Sequence, residues 1–392
     1  MTVLYGKNRY PKKIIDSASP TRSHILNSSM PENDKNDHSA LPAATSCWAI
    51  RPYPDLIDPS KIEADGGKWI RLEDGRIVEY FLSGSSSPDA TVLVDCPGGN
   101  CTGHMFSAFP SWNRVAESLN YRVISVSYPG FGYSSIHPGR SIKDWPITDL
   151  LPILRKENVE EFAVTGISFG SCHALATAWN FAQKREDDKN SGITCIGLGL
   201  RVPYLGSESC EELNLKNHIT VGYTTASANT TLLGTIAARV FTMFASKPGD
   251  AFKSPGPMMR AFVNFLNPGA LDKLEHLLVE HSDLMNTCKR DMDRCVVHTD
   301  QGILYNYATD TLVDHGFIVT EIRSDLPVYL WYAEDDEDCP PSHGMWIANK
   351  NTDDSNHFTN VSSRAFNNYG HIGTAFLDHE EFLKAFHDHI KQ

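Results

Sequence analysis

Residues 166–170 read Gly-Ile-Ser-Phe-Gly, so Ser168 has a glycine two positions away on each side. The run Phe162–Thr165 before it is apolar enough for a buried strand, and the residues after it follow a helical pattern. A serine at a strand-to-helix junction of this kind stands on a very sharp turn that lifts its hydroxyl out of the sheet. Glycines at 166 and 170 let strand and helix approach without side-chain collision, and the small Ser171 and Ala174 help. The chemistry open to such a serine is nucleophilic attack. A hydroxyl is a weak nucleophile near neutral pH, however, and needs a base within hydrogen-bond reach and an acid that holds the base in the right tautomer. Histidine and a carboxylate are therefore the partners to seek. The chain has 16 histidines, so residue type alone does not choose among them. Carboxylates crowd at one place: the apolar run Val328–Tyr332 leads into Glu334, Asp335, Asp336, Glu337 and Asp338, followed by Cys339 and Pro340.

The elements that must position these groups alternate. Lys68–Leu72 and Arg76–Leu82 read as short strands around Glu73-Asp74-Gly75, where the Asp-Gly pair signals a hairpin. Strands are expected at Thr91–Asp95, Arg122–Ser127, Glu161–Ile167 and Ile193–Leu200. Helices between them are expected at Ser111–Leu119, Ile142–Lys156 and Phe169–Lys184. Continuous apolar runs separated by helices are the mark of a parallel sheet covered on both faces, an α/β core. From about Pro203 to Ile322 the alternation gives way to a mostly helical pattern, with Leu271, Leu274, Leu277 and Leu278 at helix spacing. It resumes with strand Pro327–Tyr332, helix Ser342–Ala348, a weaker strand His357–Ser362 and a closing helix Glu380–Ile390.

With the serine turn, the acidic strand end and this alternation in place, the chain resembles the α/β-hydrolase fold superfamily, in its serine-esterase branch with a helical cap. The likeness runs from about residue 75 to residue 392. In that family the order along the chain is serine, acid, histidine. The acid commonly precedes a proline by four residues, so the resemblance points to Asp336 before Pro340, with Asp335 and Asp338 as alternatives. Asn368-Tyr369-Gly370-His371 is similar to the family's Gly-His loop and makes His371 the base, ahead of His173 and His104. Leu93–Gly99 matches the family's oxyanion turn, with Cys96-Pro97 where His-Gly is usual. Backbone N–H groups of Phe169 and Gly98 would then bind the developing oxyanion; because proline has no N–H, a shift of one residue would make Gly99 the donor. Tyr128–Ser134 is similar to a family loop that shapes the neighbouring turn.

The resemblance implies four segments. Residues 1–60 form an N-terminal tail, 61–202 the first part of the core, 203–322 a helical cap and 323–392 the second part of the core. In the cap, Phe241, Met243, Phe244, Met258, Met259, Phe262 and Phe265 would form its own core or line an apolar acyl pocket. A serine at the turn argues against the family's epoxide hydrolases and haloalkane dehalogenases, which use aspartate there. The implied activity is hydrolysis of an ester or related acyl bond of a small apolar substrate. No cofactor or metal is implied. A non-catalytic, receptor-like binder on the same fold is the alternative, and the Cys96-Pro97 turn is its best support.

Composition narrows the partners. Lys and Arg total 35 against 48 Asp and Glu, a net charge of −13, which repels phosphate backbones and anionic lipid headgroups. Nucleic acid is not an expected partner, no apolar run is long enough for a membrane span, and oligomeric state is left open. The nine cysteines contain no CxxC pair and are expected to be reduced and buried. Residues 1–60 are rich in Ser, Pro, Asn, Asp and Lys and read as disordered. Lys7, Arg9, Lys12, Lys13 and Arg22 give a faint likeness to an organelle transit peptide without a signal-peptide apolar stretch. The expected location is cytoplasmic, with organelle targeting left open.

Overall fold

Eight strands among the described residues pair into a single sheet in the order β1-β2-β4-β3-β5-β6-β7-β8. The computed structural model describes residues 57–99, 101–137, 140–182, 192–215, 281–295, 315–336, 338–349 and 357–392. The strands are β1 Lys68–Arg71, β2 Ile77–Gly84, β3 Thr91–Cys96, β4 Tyr121–Val126, β5 Glu161–Ile167, β6 Thr194–Arg201, β7 Val328–Ala333 and β8 Val361–Phe366. β1, β2 and β4 run antiparallel to one another in that order, and from β4 to β8 every pairing is parallel. The β1–β2 hairpin turns through Gly75 at φ +85°, as the Asp74-Gly75 pair predicts.

The pleat sends neighbouring residues to opposite faces, and each face has its own core. Val94, Val164, Leu198 and Leu330 pack on one side with the helix that follows the Ser168 turn. Leu93, Ala163, Val123 and Trp331 pack on the other with Trp112, Phe382 and Phe386. Burial on both faces is why β3, β5 and β7 read as continuous apolar runs. Each such Leu or Val removed from water contributes roughly 1.5–3 kcal/mol.

The helices are α1 Pro59–Ala64, α2 His104–Ala108, α3 Pro110–Ser118, α4 Leu151–Lys156, α5 Gly170–Phe181, α6 Ser207–Glu212, α7 Ser282–Cys295, α8 Pro341–Ile347, α9 Gly370–Phe376 and α10 His379–Ile390. Three differ from the sequence expectation in informative ways. α1 takes Pro59 and Ser60, which the composition assigns to the tail. Asp58 caps it, its carboxylate accepting from the Ser60 N–H, and Ile62 is buried. The expected helix at Ile142–Lys156 opens instead with a π turn, Pro146–Leu150, in which the Leu151 N–H reaches back five residues to the Pro146 carbonyl. Pro152 lacks the N–H that an unbroken α-helix would use there. His371, expected in a loop, is the second residue of α9.

The last strand also moves, from the expected His357–Ser362 to Val361–Phe366. It is an edge strand with a mixed, largely exposed pattern, and the apolar Phe358 within the expected range is buried in the preceding loop. Of the expected cap, the described parts are 203–215 with α6, then α7, then 315–322 with a short 3₁₀ turn. Leu271, Leu274, Leu277, Leu278 and the bulky positions from Phe241 to Phe265 lie outside the described residues, as do residues 1–56 of the tail and the last part of the helix expected at 169–184.

Candidate active site

Ser168 sits between β5 and α5 with φ +54°, a left-handed conformation that costs a non-glycine residue about 1–3 kcal/mol. The surroundings hold it there: the Ser168 N–H donates to the Arg201 carbonyl at 2.9 Å, and its own carbonyl accepts from Ser171 N–H at 2.8 Å. The flanking glycines are there for space. A Cβ on Gly166 would lie 2.7 Å from the Cβ of Ala174, and one on Gly170 would overlap the carbonyl oxygens of Cys96 and Pro97. The same close approach therefore locks the serine turn to the turn after β3.

Two other strand ends bring the partners. His371 Nε2 lies 2.9 Å from Ser168 Oγ, across 203 residues of chain. On the far side of the ring, Nδ1 lies 2.9 and 3.1 Å from the two carboxylate oxygens of Asp336. Asp336 is only 8 % exposed, and its Oδ1 also accepts the backbone N–H groups of Asp338 and Cys339, each at 2.8 Å. A carboxylate on Nδ1 fixes the neutral ring with its proton there and leaves Nε2 to accept from the serine hydroxyl. Burial is the largest single influence on His371 and lowers its pKa, but the charge and hydrogen bonds of Asp336 and the neighbouring Cys339 together outweigh it and hold the imidazole well above its ordinary 6.5.

The alternatives occupy other stations. Asp335 accepts the Gly370 N–H at 3.2 Å and so braces the segment that carries the histidine. Asp338 meets Asp336 through its backbone N–H. His173 is fully buried, stacked on Tyr128 with ring centres 3.8 Å apart, and burial, with Arg140 nearby, lowers its pKa. His104 faces Asp291 at 3.8 Å and the ring of Phe81.

Gly98 and Gly99 both stand beside the serine. A Cβ on Gly98 would be 3.8 Å from that of Ser168, and one on Gly99 would be 2.7 Å from the Phe169 ring. The turn is tied by Cys101 N–H to the Gly98 carbonyl at 3.1 Å and by the Tyr128 hydroxyl, which donates to the Pro97 carbonyl at 2.9 Å. That second bond links the Tyr128–Ser134 loop to the serine's surroundings, a contact with no local sequence signal. Cys339 is another residue that sequence reasoning missed. Its Sγ is 4.0 Å from Ser168 Oγ, and burial pushes its thiol pKa up.

The serine opens on a cavity of about 50 Å³ whose lining includes Gly98, Ile167, Ser168, Cys288, His371 and Phe376. Cys288 comes from α7, which is anchored to the core by buried polar pairs. Asp291 accepts the Thr102 N–H at 2.7 Å and its hydroxyl at 2.6 Å. Arg294 donates to Asp65 at 3.0 Å and clasps the buried Glu79 through both terminal nitrogens. The eight cysteines among the described residues are buried and free. Among the described residues no three His, Cys, Asp or Glu side chains are placed to hold a metal, and no helix is long and apolar enough to cross a membrane.

The sequence model of the alpha/beta hydrolase fold matches residues 91–378, most of the chain. The chain belongs to the α/β-hydrolase family. Solved structures agree on the fold of this α/β hydrolase. An esterase from Exiguobacterium antarcticum superposes with a TM-score of 0.55 at 15 % identity, covering 83 % of this chain and 100 % of its own. An esterase from a Rhodococcus species gives 0.52 at 17 %, covering 83 % and 99 %. A thermophilic esterase from Thermogutta terrifontis gives 0.52 at 14 %, with the same coverages. Among curated proteins no sequence matches significantly. This α/β hydrolase thus has esterases among its structural neighbours, at identities that speak to the fold alone.

Proposed function

We propose that the protein is a serine hydrolase that cleaves an ester or related acyl bond of a small apolar substrate through an acyl-enzyme on Ser168. The observation that carries this reading is the unbroken hydrogen-bond chain from Ser168 Oγ through His371 to Asp336, with both contacts at 2.9 Å. Ser168 Oγ attacks the acyl carbon while His371 Nε2 takes its proton. Asp336 stabilises the imidazolium that forms. The oxyanion is met by the N–H of Phe169 and that of Gly98 or Gly99. His371 then returns the proton to the departing alkoxide as the carbon–oxygen bond breaks. In the second half a water, deprotonated by His371, attacks the acyl carbon and releases a carboxylic acid and the free serine.

The apolar lining supplied by Ile167, Cys288 and Phe376 supports a small apolar acyl group. Esterases are built on this same fold. A fluorophosphonate probe tests the reading: the protein is expected to be labelled at Ser168 and Ser168→Ala is not. A wild-type chain inert to the probe while correctly folded would instead favour the non-catalytic binder.

A further inference from the structure

We propose that Phe376 sets the length of acyl group this enzyme accepts, closing the catalytic cavity off from a larger groove behind it. The inference rests on the hydrolase reading above and adds the substrate class, esters of short acyl groups.

The cavity at Ser168 holds about 50 Å³, far below the roughly 300–1,000 Å³ of ordinary small-molecule sites. Judged against the ~30 Å³ share of one water, that is room for about two non-hydrogen atoms, the methyl or ethyl tail of a two- or three-carbon acyl group. A groove of about 740 Å³ lies next to it. Phe376 lines both spaces. α7 runs past both as well, with Cys288 lining the cavity and Leu284, one turn earlier, lining the groove. Besides Phe376 and Leu284 the groove has Phe109 and Trp112, both buried, as apolar lining, while the exposed Lys384 and Glu381 give it a wet rim. The charged Arg114, Asp283, Asp378 and Glu380 also border it, and the strip of apolar side chains between them suits an alkyl chain.

Phe376 is the last residue of α9, the helix that carries His371 near its start. It is half-buried, packed beside the core under the sheet. An acyl chain growing away from Ser168 through the cavity meets this ring. With the ring removed, the chain would continue into the groove. Phe376 is therefore a specificity-determining residue, and it acts on the acyl side of the scissile bond.

The test is kcat/KM for p-nitrophenyl esters from acetate to decanoate, in which the leaving group is constant. Wild type is expected to favour acetate and propionate. Phe376→Ala is expected to raise the octanoate-to-acetate ratio at least about tenfold. Phe376→Leu, which keeps more of the packing, should give a smaller rise, and adding Leu284→Trp to Phe376→Ala should fill the groove and bring the ratio back. A ratio unmoved by both Phe376 variants in an active protein overturns this inference and leaves the hydrolase reading intact. A wild-type chain inert toward every ester overturns the hydrolase reading, and this one with it.

Discussion

The two sides of the site are built by different means. On the sheet side, Ser168, Asp336 and His371 stand just beyond the ends of β5, β7 and β8, each held by short backbone contacts: Ser168 N–H on Arg201, Asp338 and Cys339 N–H on Asp336, Gly370 N–H on Asp335. On the other side α7 reaches the cavity and is held against the core by its buried Asp291 on Thr102 and Arg294 on Glu79 and Asp65. The first construction fixes atoms to hydrogen-bond precision, which proton transfer demands. The second fixes a surface, and it depends on pairs that are strongly destabilising when one member is lost. Changes on the sheet side should therefore appear in the rate of chemistry, and changes on the α7 side in stability and in which substrates fit.

The largest effect that would break this division is Ser168→Ala. Ester hydrolysis should fall by about 10⁶ in kcat, with thermal stability little changed because alanine keeps the same left-handed backbone. Activity that persists within a hundredfold would place the nucleophile elsewhere.

Asp336→Asn comes next, with a fall of about 10⁴ in kcat from loss of the correct histidine tautomer. It also carries a pH signature. His371 must be unprotonated to accept the serine proton, so kcat/KM rises with pH through its pKa. Burial lowers that pKa most, while Asp336 and Cys339 together raise it further, so the wild-type midpoint lies above 6.5. Removing the Asp336 charge takes away the largest influence opposing burial and moves the midpoint down. A pH profile whose midpoint stays put or rises in Asp336→Asn would contradict the pairing.

On the α7 side, Arg294→Ala strands the buried Glu79 and should cost about 3–5 kcal/mol in denaturant unfolding. Its kcat on the shortest ester should change much less than its stability. Thr102→Val sharpens the contrast at smaller scale. It removes one donor to the buried Asp291 and should cost about 1–3 kcal/mol. If either variant lost activity as Ser168→Ala does while remaining folded, the two sides would not be separable.

The same division decides what could be read from the sequence. The α/β fold was legible because β3, β5 and β7 are buried on both faces and leave continuous apolar runs. The elbow was legible because two close approaches, at Gly166 and Gly170, exclude any side chain. Asp336 could be picked from its crowd only through the family's spacing to proline. The structural difference between it and its neighbours is a set of contacts, two backbone N–H groups and His371, that no residue type announces. β8 slipped because an edge strand buries too little to impose a pattern. The α7 anchors were invisible for another reason: Thr102 and Asp291 are 189 residues apart, and Arg294 and Asp65 are 229 apart, with no local motif at either end. Phe376 and Cys339 gain their meaning in the same way, from what folding brings against them.

The central claim is that Ser168 and His371 work as one unit. The most direct measurement is kcat for a p-nitrophenyl acetate substrate in Ser168→Ala, His371→Ala and the double variant. Members of one unit fail together, so the double variant should be no slower than the slower single. Losses that instead multiply across the two substitutions would mean that the serine and the histidine act independently, and the account would be wrong.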